Sequence, residues 1–411
     1  MANFIQKSLR LYVDSYSGHP PEVWILSIVT FINRLGMMVV PFLTVYLNTI
    51  LHFELYEAGF LVAAFGIGSF AGTWVGGRLS DRIGPRWVIF SSLVLGGSCL
   101  ILLQFVHETA GLATMLLLTG FFGDALRPAS MATIGYYAKK ERMGSAMALF
   151  RLAINLGFSA APAIGGFLVA AFSYAALFWV DGLTCMLAAV FFIFASTKWR
   201  PVTRKEPYGE NIEVEKAEAA SLPPQQNKAY LLFLLATFLM GFGFVQWFHS
   251  FAVFLKNEWG LDERYSGAAL ALNGLVIVLL EMPLVHYIEQ LNKNMRAFSI
   301  GVALIALSFL PFVLPAWYGF AILAILLMTI GEILNLPFSS TFALKLAPEH
   351  MRGEYSAWYG MTWSLTNVAG PALGLAFVGQ FGWPAFWIGL SALGMSSLIL
   401  YKKAGIGSTK D

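Results

Sequence analysis

Apolar runs long enough to cross a lipid bilayer recur along almost the whole chain, separated by short polar turns. A helix needs about 20 predominantly apolar residues to span the hydrocarbon core. The pattern supplies twelve such runs, at about 22–49, 56–79, 87–106, 111–137, 144–171, 174–196, 229–255, 264–288, 297–316, 318–346, 355–379 and 382–401. No water inside that core can satisfy free N–H and C=O groups, so each run is predicted to close its own hydrogen bonds as an α-helix. The predicted fold class is an all-α membrane protein with twelve transmembrane helices. One interior stretch breaks the rhythm: residues 197–207 and 213–218 are polar and charged. Such a stretch reads as a linker over 197–228, joining an N-terminal six-helix bundle, 1–196, to a C-terminal one, 229–411.

The two halves repeat each other at an offset of 209 residues. Glu54, Tyr56, Gly144, Ala148, Leu156, Pro162, Gly165, Phe172 and Ala176 align with Glu263, Tyr265, Gly353, Ala357, Leu365, Pro371, Gly374, Phe381 and Ala385. Small residues are common in membrane helices, so single matches mean little. A constant offset held over such a length indicates a duplicated six-helix unit.

Composition agrees with the pattern. The chain of 411 residues is 58% hydrophobic and 12% charged, against a charged share of about 25% in soluble domains. The first twenty residues lack the short apolar core and cleavage site of a signal peptide, and are expected to form an interfacial helix leading into span 1. With that end in the cytoplasm, Arg34, Arg127 and Arg151 fall within spans and Lys256 and Arg264 fall outside. The remaining Lys and Arg of the 26 lie on the cytoplasmic side, the bias that fixes topology, so both termini are expected to be cytoplasmic. The formal charge of +3 is then a topology signal and implies no nucleic-acid partner. Cys99 and Cys185 occupy separate spans, which suggests neither a disulfide framework nor a metal site. No cofactor motif is present, and no nucleophile–base spacing favours an enzyme.

An ionisable side chain at mid-membrane costs about 2.5–3.5 kcal/mol on insertion scales, so each one calls for a partner, a water-filled cavity or a function. Asp124 and Arg127, three apart in span 4, share a helix face and read equally well as a neutralised pair. Glu332 sits near the centre of span 10 with no basic residue one turn away along the sequence. Burial there raises proton affinity, as a proton carrier requires. Glu332 and Asp124 are therefore the candidates for proton coupling. Arg34, in span 1, suits an anionic group of a substrate or a pair with Glu332. Asp181, Arg151 and Glu281 are placed nearer the membrane faces, where long side chains reach water, and read as structural. Gln246 and His249 share a face of span 7 and are candidate cavity-lining groups, with an interhelical hydrogen bond as the plainer explanation.

Between spans 2 and 3 lies Gly77-Arg78-Leu79-Ser80-Asp81-Arg82-Ile83-Gly84-Pro85-Arg86. It resembles the cytoplasmic loop signature of the major facilitator superfamily, roughly G-x-L-x-D-R-x-G-R-R, departing from it at Pro85. The resemblance implies two six-helix repeats in the major facilitator fold, with a substrate site near the midplane. It also implies a gating role for Gly77, Asp81, Arg82, Gly84 and Arg86. Span 5 carries residues 157–166, Gly-Phe-Ser-Ala-Ala-Pro-Ala-Ile-Gly-Gly. This is similar to the G-x-x-x-G-P-x-x-G-G signature of antiporters in the superfamily, with Ala161 in place of a glycine and Pro162 as a bendable point. Span 10, Gly331-Glu332-Ile333-Leu334-Asn335-Leu336-Pro337, and span 4, Gly123-Asp124-Ala125-Leu126-Arg127-Pro128, resemble proton-coupled peptide symporters. That likeness implies Arg127 as a carboxylate binder. The proton motif E-x-x-E-R of those symporters falls on Thr30–Arg34, which keeps the arginine and loses both acids.

The expected function is secondary active transport of a small organic solute by alternating access, coupled to protons, from a monomer in the bacterial inner membrane. Export by proton antiport leads; uptake of peptide-like solutes and a non-transporting sensor are the alternatives. The expected contributors are Glu332 and Asp124 for protons; Arg34, Arg127, Gln246 and His249 for substrate; and the loop residues with Pro162 for gating.

Overall fold

The computed structural model describes residues 18–138, 143–197, 199, 222–291, 294–348 and 351–405. The N-terminal interfacial segment and most of the 197–228 linker lie outside the described residues.

The regular elements among those residues are helical. They are α1 (Pro21–Leu35), the short α2 (Val40–Val45) continuing into a π-helical turn, α3 (Leu55–Ile83), α4 (Pro85–Leu103), α5 (Thr109–Tyr137), α6 (Met143–Ala171) and α7 (Tyr174–Ala195). After the linker come α8 (Lys228–His249), α9 (Phe251–Trp259), α10 (Glu263–Gln290), α11 (Asn294–Leu307), α12 (Tyr318–Lys345) and α13 (Arg352–Lys403). Eleven segments among the described residues are long and apolar enough to cross a membrane. The last of them, Glu354–Lys403, runs for 50 residues, about 75 Å at 1.5 Å per residue. It turns at Gly382, where φ is +77°. Its length is more than twice the roughly 30 Å of a bilayer core, so the eleven segments supply the twelve predicted spans.

Boundaries follow local chemistry. Gly84, at φ +89°, is the single non-helical residue between α3 and α4, and Pro85 opens α4 at a position where its missing N–H costs nothing. The expected ten-residue loop is thus almost wholly helix. Ser173 and Asn227 cap α7 and α8 by accepting the N–H groups of Ala176 and Tyr230. Gly260, at φ +66°, ends α9. Span 1 was expected to be continuous, but it is interrupted over Gly36–Val39.

The chain forms two compact units. The first contains residues 1–46, 64–204 and 262–278; the second contains 47–63, 205–261 and 279–411. In the first, Gly68, Gly72 and Gly76 of α3 bring that helix onto the backbone of α5. A Cβ at these positions would overlap the carbonyls of Leu117, Phe121 and Ala125. Also within the first unit, α6 lies against the start of α10: a Cβ on Gly267 would strike the Pro162 carbonyl, and Tyr174 donates to Glu263 at 2.5 Å. The second unit repeats the proline contact, since a Cβ on Gly59 would strike the Pro371 carbonyl. Its core on α8, α11, α12 and α13 is aromatic, with Tyr230, Phe233, Phe298, Tyr355 and Tyr401 fully buried.

Candidate functional site: the polar interior of the first unit

Arg34 lies one residue before the end of α1 and is only 4% exposed. Helical packing brings it there closely, because Gly157 of α6 leaves no side chain where the Arg34 Cβ sits. Its guanidinium donates from Nη2 to Asp124 Oδ1 of α5 at 3.1 Å, and Nη1 donates to the Met37 sulfur. The Phe158 ring lies 5.4 Å from its Cζ, within cation–π range. Asp124 uses its second oxygen to accept from the Ser69 hydroxyl of α3. Three helices are thus tied through one carboxylate.

This corrects the expected pairing within span 4. Asp124 is bonded to Arg34, ninety residues away, and not to Arg127. Arg127 is exposed and makes no hydrogen bond or ion pair among the described residues. The pairing also places Arg34 with Asp124 and not with Glu332.

Beside the ion pair is a small cavity lined by Asn33, Gly36 and Met37 from span 1, Ser92 and Gly96 from α4, Thr119 and Asp124 from α5, and Asp181 and Cys185 from α7. The space open to water centres is about 40 Å³, room for a few waters since one occupies roughly 10–15 Å³ on this measure. Asp181, expected near a membrane face, is fully buried. Its Oδ2 accepts the Val39 N–H at 3.0 Å and so bonds the main chain at the interruption of span 1.

The remaining sequence candidates lie elsewhere. Glu332 is half-buried midway along α12 and has an interaction partner. Gln246 is fully buried: it donates to the Gly370 carbonyl at 2.9 Å and accepts from Ser250 at 2.7 Å. It holds α8 to α13 through the interhelical hydrogen bond that was the plainer explanation of it. His249 is 6% exposed, with Nδ1 unpaired among the described residues, and it too is enclosed in α8 packing.

Of the loop residues, Arg86 anchors α4 to the end of α7, donating to the Ser196 hydroxyl at 2.9 Å and the Ile193 carbonyl at 3.1 Å. Arg78 stacks over Trp74 at 3.6 Å, and Arg82 is exposed. The Asp81 side chain lies outside the described residues. A Cβ on Gly77 would meet only an ordinary contact with Pro128. The close approach belongs to Gly68, Gly72 and Gly76, whose spacing of four was visible in the sequence and went unread. Pro162 is inside α6, its carbonyl against Gly267.

The model of the Major Facilitator Superfamily matches residues 26–371. A Na(+), Li(+), K(+)/H(+) antiporter of Planococcus maritimus is 24% identical, over 88% of this chain and 91% of its own length. Multidrug resistance protein 2 of Bacillus subtilis (strain 168) is 24% identical, over 84% of this chain and 85% of its own. The crystal structure of peptide transporter POT in complex with sulfate has the same fold, with a TM-score of 0.79 at 16% identity, covering 95% of this chain and 96% of that one.

Proposed function

The chain belongs to the major facilitator superfamily, and on that premise we propose that it exports small organic solutes in exchange for protons. It is a multi-pass membrane transporter of small molecules and not an enzyme. The observation that supports the proton coupling is the ion pair of buried Arg34 with half-buried Asp124, beside a cavity with room for a few waters. Ionised, the Asp124 carboxylate is held by Arg34; protonated, it would release Arg34. Such a switch can bias the conformations that alternating access requires. Glu332 supplies a second mid-membrane acid. The relatives named as a cation/H⁺ antiporter and a multidrug resistance protein support exchange and export. The source membrane is the bacterial inner membrane, with both termini cytoplasmic, and Asp81, Arg82, Gly84, Arg86 and Pro162 take part in gating.

A second reading, uptake of peptide-like solutes, is favoured by Arg127 alone: an exposed guanidinium with no bond among the described residues suits a carboxylate.

The test is flux in proteoliposomes under an imposed pH gradient, across lipophilic cations and zwitterionic di- and tripeptides. Cation movement driven by the gradient, abolished by Asp124→Asn and by Glu332→Gln in folded protein, is expected. Peptide movement that Arg127→Gln removes would replace export by uptake. Binding without flux under any gradient would leave a sensor and defeat both.

A further inference from the structure

Span 1 is broken just after the residue that carries its charge. The last turn of α1 closes with the Gly36 N–H donating to the Ile32 carbonyl at 2.9 Å, and the Met37 N–H turns back to the Arg34 carbonyl at 3.2 Å. The next two main-chain donors, on Met38 and Val39, fall between α1 and α2. Inside a membrane an N–H without an acceptor is costly, because lipid offers no replacement. One side chain from another helix meets both. Asp181 Oδ2 of α7 accepts the Val39 N–H at 3.0 Å, and the Met38 N–H faces the same carboxyl. Asp181 is fully buried, and its Oδ1 has no hydrogen-bond partner among the described residues. The bond at the break therefore calls for one acceptor oxygen and not for a charge.

Helix α7 also packs against the turn itself. A Cβ on residue 36 would stand 2.9 Å from Thr184 Oγ1 and 3.1 Å from Cys185 Sγ, so glycine is what lets the break sit on α7. Between that seat and the two donors lies Met37, whose sulfur accepts from Arg34 Nη1 at 2.6 Å. The other end of the same guanidinium, Nη2, holds Asp124. A continuous chain of contacts thus runs from Asp181 through the main chain of the break to Met37, Arg34 and Asp124.

We propose that Asp181 is a positioning residue: by holding the main chain at Met38 and Val39 it fixes the break in span 1, and so sets Met37 and Arg34 against Asp124. Asp181 serves the same Arg34–Asp124 switch on which the reading of proton-coupled export rests, and it does so through the main chain, with no bond to either side chain.

Two measurements on the purified full-length protein in detergent test this without a gradient or a solute. The first is hydrogen–deuterium exchange, read by mass spectrometry over residues 36–40. Asp181→Leu should speed exchange there about tenfold, the effect of losing a buried hydrogen bond. Asp181→Asn, which keeps an acceptor oxygen, should match the wild type, and α8 should be unchanged in both variants. The second is a double-mutant cycle on the thermal midpoint. Asp124→Ala should lower the midpoint equally in the wild type and in Asp181→Asn. In Asp181→Leu, where the pair is already out of register, it should lower it less than about half as much. A role confined to packing gives additive losses instead. Should Asp181→Leu fail to fold, Asp181→Ala takes its place with the same expectations. Additive losses in the cycle overturn the proposal, as does exchange at 36–40 that removal of the carboxyl leaves unchanged. Asp181→Asn behaving like Asp181→Leu overturns it as well. Absence of pH-driven flux in the wild type would defeat the export reading alone, and these two measurements would still decide the positioning role.

Discussion

Arg34 and Asp124 show how far a single residue's role can be read from its neighbours in sequence. Three-residue spacing made Arg127 the natural partner for Asp124, because periodicity reports only which residues share a helix face. The partner found is Arg34 on another helix, and nothing in the spacing of either residue carries that information. Asp181, read as structural, is enclosed by packing from α1, α4 and α5, which its spacing along the chain does not report. What the residues did reveal was cost, since each intramembrane charge demanded an explanation, and Arg34 and Asp124 answer each other. Breaking a buried pair leaves a bare charge and costs about 3–5 kcal/mol, whereas replacing both partners by apolar groups is often neutral. Asp124→Ala should therefore lower the thermal unfolding midpoint in detergent markedly, and the double change Arg34→Met with Asp124→Leu should recover most of it. Arg127→Ala should leave it near wild type. An Asp124→Ala midpoint equal to wild type would show that the pair holds no structural charge balance.

Among the elements, the spans themselves were legible because lipid permits so few backbone solutions. The turn in the last long helix falls at Gly382, the first residue of the predicted run 382–401. Two features of the helices were not seen. Span 1 is interrupted at Gly36–Val39, a break that hydropathy cannot register because its residues are as apolar as those around them. The glycine stripe of α3 was overlooked in favour of Gly77, which belongs to the loop motif, although Gly68, Gly72 and Gly76 carry the helix contact. This contrast gives a paired expectation. Gly72→Ala should cost about 1–3 kcal/mol through forced backbone displacement, read as a drop in the thermal midpoint. Gly77→Ala, with room for its methyl, should be close to neutral. Equal effects of the two substitutions would contradict the stripe.

For the whole molecule, the 209-residue repeat relates the two halves of the sequence. It aligned Pro162 with Pro371, and each of these prolines presents its carbonyl to a glycine within its own unit, Gly267 in one case and Gly59 in the other. Asn48 and Asn257, also 209 apart, hydrogen-bond to each other at 2.8 Å. The repeat reports the scaffold and is silent on the chemistry of the site: Arg34, Asp124 and Asp181 have no charged counterparts at that offset. Arg34 would fall on Gly243, Asp124 on Ile333 and Asp181 on Leu390. The polar interior of the first unit rests on contacts between residues far apart in sequence.

The central claim is that Asp124 exchanges a proton as solute binds. Proton release can be measured directly, with a pH-indicator dye and weakly buffered purified protein, on adding a lipophilic cation identified by flux. The account predicts that the wild type releases protons in proportion to the solute bound, and that Asp124→Asn binds the solute with that release lost or sharply reduced. Solute binding in the wild type with no proton release, or release that Asp124→Asn leaves intact, would contradict it.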